Sequence, residues 1–234
     1  MVNLRFTFKN VLEKIRLLSP SFVYRLLQIK NHTIRTDKRF MELWWQLSRD
    51  DRMLLSIREA YNIYFYLSRT LPIGGAIAEF GVYKGGGAKL ISENSSGLPF
   101  HLFDTFEGMP EVNSYVDMHK KSDFSDTSLA YVKDYLKKYP NCHFHKGIFP
   151  DTTRELDVYI EFCFVHLDVD LYESTLSGLN FFYPRLKKGG VIISHDYNSI
   201  FCPGVKKAFA EFFTDKNEEV IPLWDTQCMV RKQS

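Results

Sequence analysis

The stretch Ala76-Ile-Ala-Glu-Phe-Gly-Val-Tyr-Lys-Gly-Gly-Gly-Ala-Lys-Leu90 constrains this chain more than any other. A short run of small and β-branched residues, an acid, a glycine turn and a helix start describe a strand of a sheet covered on both faces. Gly81, Gly85, Gly86 and Gly87 let the backbone turn sharply and come close to a ligand. The helix that follows aims its free N–H groups into the turn. Glu79, at the strand end, offers two acceptor oxygens.

Spacing narrows the ligand. A dinucleotide fold wants G-x-G-x-x-G, and the chain fits it in no register, because Tyr83 stands two residues after Gly81. The pattern is instead E-x-G-x-x-x-G-G-G. A carboxylate just before the turn suits a cationic or hydroxyl-bearing ligand better than a pyrophosphate, which points to S-adenosylmethionine (SAM). A tight strand-to-helix turn with no ligand fits the stretch alone equally well.

The flanking sequence supplies more strands and helices. Helical spacing recurs before Pro20 and after it, with Ser19 as N-cap, and again across 39–70 in two aromatic stripes. Pro72–Gly75 breaks the chain before the first strand. Further strands are expected at Phe100–Asp104, Cys142–Lys146, Phe162–Asp168 and Val191–Asp196, with a final pair near 220–223 and 227–231. Between them, Ser128 caps a helix running to about Lys138, Tyr172 opens a helix closed by Pro184 and Gly189-Gly190, and Pro203 starts another. The polar, aperiodic segment 111–128 is a long loop of the kind that carries function.

Strands alternating with helices make a parallel sheet, which binds ligands beyond the carboxyl ends of its strands. Four strand ends there carry acids: Glu79, Asp104, Asp168 and Asp196. Asp104 follows Glu79 at about the interval at which nucleotide folds place a ribose-binding carboxylate. It could equally cap the next turn. Asp168 and Asp196 offer oxygen ligands for a hard divalent cation, with His195 as a third ligand, an outer partner or a base. His143 and His145 share one strand face, but without an acidic neighbour they are a weak metal site.

Composition limits the function classes. The 234 residues carry a net charge of +2, which does not call for nucleic acid. The charge is uneven: residues 1–39 hold nine basic against two acidic side chains. That arm suits either packing against the domain or a dimer partner, or peripheral contact with a membrane surface. Cys142, Cys163, Cys202 and Cys228 form no C-x-x-C pair, and no signal peptide or membrane-length apolar run is visible, so the expected setting is reducing and cytoplasmic. Aromatic residues make up 15%, which predicts a bulky core and an apolar lip for a substrate.

Several separated motifs carry a family resemblance. Ala78-Glu-Phe-Gly-Val-Tyr-Lys-Gly85, Leu102 to Pro110, Asp123 to Ser128, His145 to Thr152, His166 to Thr175, Gly189 to Tyr197 and Pro203 to Lys207 together resemble the macrocin O-methyltransferase family. Its members methylate sugar hydroxyls on macrolide antibiotics. The resemblance covers roughly 70–215 and leaves the first 40 residues outside. It implies a Rossmann-like class I methyltransferase fold, α/β, with a mostly parallel seven-stranded sheet, helices on both faces and an N-terminal helical extension. It divides the chain into an arm and cap at 1–70 and a SAM-dependent methyltransferase domain at 71–234. SAM is expected on Glu79, Gly81, Tyr83, Lys84, Gly85, Asp104 and Thr105, and Mg²⁺ or a similar ion on Asp168, Asp196 and His195. Better-known members often carry Asp-Asp where this chain has His195-Asp196. Related catechol methyltransferases carry a lysine where this chain has Leu171, so a lysine base is absent there.

The combined expectation is metal-assisted methyl transfer from SAM to a hydroxyl of a sugar or glycosylated natural product, by a chain that assembles as a homo-oligomer. His195 and Asp170 are the candidates for orienting the acceptor or taking its proton. The loop 111–128 and the aromatic helices at 40–67 would cover the acceptor. Two alternatives stand beside it: a glycosyltransferase using Asp168-Val169-Asp170 as a metal-binding D-x-D, and a non-catalytic binding protein on the same fold.

Overall fold

The computed structural model describes residues 32–234. The basic arm, with its expected helices and its membrane or partner contact, lies outside the described residues up to position 31. Among the described residues there are seven helices: α1 His32–Thr36, α2 Lys38–Leu47, α3 Ile57–Thr70, α4 Gly86–Asn94, α5 Leu129–Tyr135, α6 Tyr172–Phe182 and α7 Pro203–Phe212. The strands are β1 Ala76–Phe80, β2 Phe100–Asp104, β3 Cys142–Lys146, β4 Phe162–Leu167, β5 Leu186–Ser194, β6 Ile221–Pro222 and β7 Cys228–Arg231.

They form one seven-stranded sheet in the order β3-β2-β1-β4-β5-β7-β6. The first five are parallel, and β7 runs antiparallel to β5 and β6. Strand order reverses between β1 and β4, which opens a crevice at their carboxyl ends. Both strands are buried along their whole length, as continuous apolar runs in a parallel sheet must be.

The two faces carry separate cores. One joins Ile77, Phe100, Leu102, Phe164 and Ile193 to the helices before the sheet through Phe40, Trp44, Ile57 and Ile63. The other joins Ala78, Phe103, Val165 and Ile192 to α6 and α7 through Leu179, Phe182, Val205 and Phe209. The 39–70 aromatic stripes are therefore core. Asp37 starts α2 by accepting from the Phe40 N–H at 3.0 Å. A capping box starts α3: Ser56 Oγ accepts from Glu59 N–H and Glu59 Oε2 accepts from Ser56 N–H. The turn 48–56 that this box creates breaks the expected single helical region.

Three elements depart from the sequence expectation. Strand β5 begins at Leu186, not Val191, because Gly189 (φ +82°) and Gly190 form a bulge inside the strand. A Cβ on Gly190 would stand 3.0 Å from the Cys163 carbonyl oxygen, so the expected helix-closing glycines are a strand irregularity instead. Helix α5 ends at Tyr135, short of Lys138, because Leu136 leaves helical geometry (φ −99°, ψ 8°) and the chain continues as turns. The last hairpin is short, since Pro222 cannot donate to a ladder.

Gly81 is the tightest point of the fold. Its φ is +90°, and a Cβ there would lie 1.9 Å from the Asp168 carbonyl oxygen. We expect Gly81→Ala to lower stability by about 3 kcal/mol or more, combining left-handed strain with a steric clash against backbone. Urea denaturation against the parent chain reads this directly.

Candidate active site

A cleft of about 210 Å³ opens at the β1/β4 reversal. Its walls include Glu79, Gly81, Tyr83, Asp104 and Thr105 on one side and Asp168, Asp170, His195 and Asp196 on the other. Leu54, Phe124 and Ile148 contribute exposed apolar surface at the rim.

Glu79 is 2% exposed, and its Oε1 lies 3.0 Å from His166 Nδ1. Glu79 and His166 are register partners on β1 and β4, so the pleat sets them side by side. Burial pushes the Glu79 carboxyl up to about 7, against the opposing pull of His166. Its other oxygen, Oε2, is buried with no partner within the protein. A Cβ on Gly87 would come within 2.5 Å of Oε1, so the first turn of α4 can pass over this carboxylate only as glycine.

Asp104 anchors the glycine turn. Oδ2 accepts from the Val82 and Tyr83 N–H groups at 2.7 and 2.9 Å, and Oδ1 from Phe106 N–H at 2.6 Å. The turn-capping alternative is thus what its hydrogen bonds show. Lys84 and Gly85, expected on the cofactor, do not line the cleft. Lys84 and the Tyr83 hydroxyl both bond to Asp126, and Gly85 faces Val132 and Tyr135 of α5. The left-handed turn (Tyr83 φ +49°, Gly85 φ +85°) sends that segment outward before α4 returns.

The opposite wall concentrates acids around one imidazole. His195 Nδ1 lies 3.0 Å from Asp168 Oδ1 and 2.7 Å from Asp196 Oδ2. Its Nε2 lies 3.2 Å from Glu59 Oε1. Burial opposes a charged imidazole here, but Asp168, Asp196 and Glu59 outweigh it and hold the His195 pKa well above the usual value. Burial would raise both Asp196 and Glu59, yet hydrogen bonds and attraction from His195 bring each down to about 2. Asp170, in a left-handed conformation (φ +57°), is raised well above the carboxylate range by burial and by the Asp168 and Asp196 charges.

Sequence reading missed two residues. Glu59 reads as a helix-capping acid, and it is; the same side chain also accepts from Thr226 Oγ1 at 2.8 Å and reaches His195. His166 reads as an interruption in an apolar strand, and only the β1–β4 register brings it to Glu79. Asp168, Asp196 and His195 do come together, with one ligand atom from each within 4.8 Å of the others. The histidine pair behaves otherwise: His145 bonds His101 at 2.9 Å and stacks on Phe103.

Residues 68–229 match the Macrocin-O-methyltransferase (TylF) family. The chain belongs to the macrocin O-methyltransferase family. One relative, 8-demethyl-8-(2,3-dimethoxy-alpha-L-rhamnosyl)-tetracenomycin-C 4'-O-methyltransferase of Streptomyces olivaceus, is 30% identical over 64% of this chain and 64% of its own length. Another, demethyldecarbamoylnovobiocin O-methyltransferase of Streptomyces niveus, is 27% identical over 60% of this chain and 58% of its own. The chain thus spans about three fifths of the length of these relatives. Among solved structures, the O-methyltransferase NovP superposes with a TM-score of 0.70 at 23% identity, over 79% of this chain and 84% of that one. The calicheamicin methyltransferase CalS11 gives 0.66 at 18% identity, over 82% and 90%. The fold is that of the class I methyltransferases.

The Glu79 environment sets a pH signature. Its folded pKa of about 7 lies above the ordinary 4.5, so its contribution to stability is present below about 4.5 and lost as pH rises through 7. We expect Glu79→Gln to match the parent chain near pH 4.5 and to exceed it above pH 7 by about 3 kcal/mol. Denaturation curves of both chains across that range measure the difference.

Proposed function

We propose that this chain is a SAM-dependent, divalent-metal-assisted O-methyltransferase acting on a hydroxyl of a sugar or glycosylated natural product. The observation that carries the cofactor reading is the buried, unpartnered Glu79 Oε2 at the cleft wall. An orphaned carboxylate oxygen in such a place costs stability unless a ligand supplies a donor. Glu79 Oε2 would accept from a cofactor hydroxyl, and Asp104 from a second one. Gly81 and Gly87 keep the space clear, and α4 presents its N-terminus to the same cleft. SAM supplies a methyl group already activated on a sulfonium.

The donor set on the opposite wall fits a divalent ion. Distances of 2.7 and 3.0 Å from Nδ1 to two carboxylate oxygens match adjacent ligand atoms around an ion with bonds of about 2.1 Å at right angles. Asp168, Asp196 and His195 Nδ1 would hold it. Glu59 Oε1, 3.2 Å from His195 Nε2 without a well-directed hydrogen bond, would steady the imidazole from its other side by charge. Such an ion, when bound, lowers the pKa of a ligating substrate hydroxyl. Asp170 lines the cleft wall beside Asp196, where its carboxyl would orient the acceptor. Leu54, Phe124 and Ile148 give the acceptor an apolar seat, which supports a sugar carried on an apolar scaffold.

Calorimetry tests the donor: SAM should bind, nucleotide-sugar should give no heat, and Glu79→Ala should weaken SAM by about tenfold or more. Heat from a nucleotide-sugar alone would favour the D-x-D glycosyltransferase. Labelled-SAM turnover on glycosylated acceptors tests the metal: Asp168→Ala and Asp196→Asn should each lose at least about a hundredfold, as should chelator treatment before Mg²⁺ is restored. Unchanged turnover of Asp168→Ala would remove the metal role.

A further inference from the structure

A second cluster of ligand-type side chains lies beside this donor set and is not used by it. His119 from the loop 111–128, Asp170 from the turn after β4, and Cys202 just before α7 bring one ligand atom each within 4.8 Å of the others. Cys202 Sγ lies 3.5 Å from Asp170 Oδ1 and 3.7 Å from His119 Nε2. Around zinc, with Zn–S of about 2.3 Å and Zn–N or Zn–O of about 2.1 Å, tetrahedral angles put sulfur about 3.5 Å from nitrogen or oxygen. The measured edges match that spacing.

The histidine is also oriented for ligation. His119 Nδ1 lies 3.1 Å from Asp123 Oδ2, and the same oxygen accepts from Lys120 N–H at 2.9 Å. A carboxylate on Nδ1 fixes the hydrogen there and leaves the Nε2 lone pair toward Cys202, as outer-sphere carboxylates do for zinc-binding histidines. Cys202 is 3% exposed, and a buried thiol facing a carboxylate and an imidazole is poorly served by packing alone. The loop is tied down nearby as well. Buried Asp117 accepts from Tyr172 N–H at 2.9 Å, and a Cβ on Gly204 would lie 2.3 Å from Asp117 Oδ1.

We propose that His119 Nε2, Cys202 Sγ and Asp170 Oδ1 form a binding site for one zinc-class ion. On binding, the Cys202 thiol releases its proton to solvent and ligates as thiolate. A thiolate and an imidazole select Zn²⁺, Co²⁺ or Cd²⁺ over Mg²⁺, whereas the Asp168–Asp196–His195 set takes hard cations as well. The ion fastens the loop 111–128 to the starts of α6 and α7 and thereby fixes one wall of the cleft.

The test uses the full chain, stripped with chelator and kept reduced, titrated with Co²⁺ in excess Mg²⁺. A thiolate-to-cobalt charge-transfer band is expected, persisting in His195→Ala and absent in Cys202→Ser. His119→Gln and Asp123→Ala should weaken Zn²⁺ binding by about tenfold or more. Metal should raise the Tm of the parent chain but not of Cys202→Ser. Metal-free melting curves establish that each variant is folded; if Cys202→Ser is not, His119→Gln on the accessible loop decides the matter. Absence of the band, its survival in folded Cys202→Ser, or unchanged zinc affinity in His119→Gln would each overturn the site.

Discussion

Four carboxylates crowd one half-buried imidazole, and much of the molecule is arranged to hold them there. Glu59, Asp168 and Asp196 lie within 3.2 Å of His195, with Asp170 beside them. Like charges this close in a low-dielectric setting repel strongly unless a cation or shared protons intervene. The four acids come from α3 and from the turns after β4 and β5. Their convergence therefore requires the helical segment before the sheet to be packed in place. Phe40, Trp44 and Ile57 in the shared core supply that packing, and Thr226 beside β7 braces Glu59 from the far side.

The other wall is built on a different compromise. Glu79 is buried with one oxygen satisfied by His166 and one left without a protein partner. Leaving that oxygen unpaired in a buried place costs stability, and the carboxyl lines the cleft wall. The glycines around it serve the same arrangement: Gly87 leaves room for Oε1, and Gly81 lets β1 pass under the Asp168 carbonyl. Asp104 then holds the turn by three backbone N–H groups, which fixes the shape of the cleft floor.

Local signals located most elements because parallel strands buried on both faces leave short continuous apolar runs, and acids and glycines mark their ends. β1, β2, β3 and β4 lie within a residue of their expected limits. The errors came where local rules have two outcomes. Gly189-Gly190 fits a helix stop and a strand bulge alike, and pairing of Leu186 with Phe162 selects the bulge. Lys84 and Gly85 belong to the glycine turn but stand off the cleft lining, with Lys84 paired to Asp126.

Sequence alone determined the sheet class, the glycine turn and the rim of acids, since each follows from residue type and short-range spacing. The family motifs at Glu79, Asp104, Asp168 and Asp196 were legible for the same reason. Tertiary structure alone decided that a helix-capping Glu59 would meet His195, that register would set His166 against Glu79, and that a loop histidine would face Cys202. Those pairs are separated by many residues, and nothing in local spacing encodes them. They exist only because the order of strands and the packing of α3, α6 and α7 bring distant backbone together.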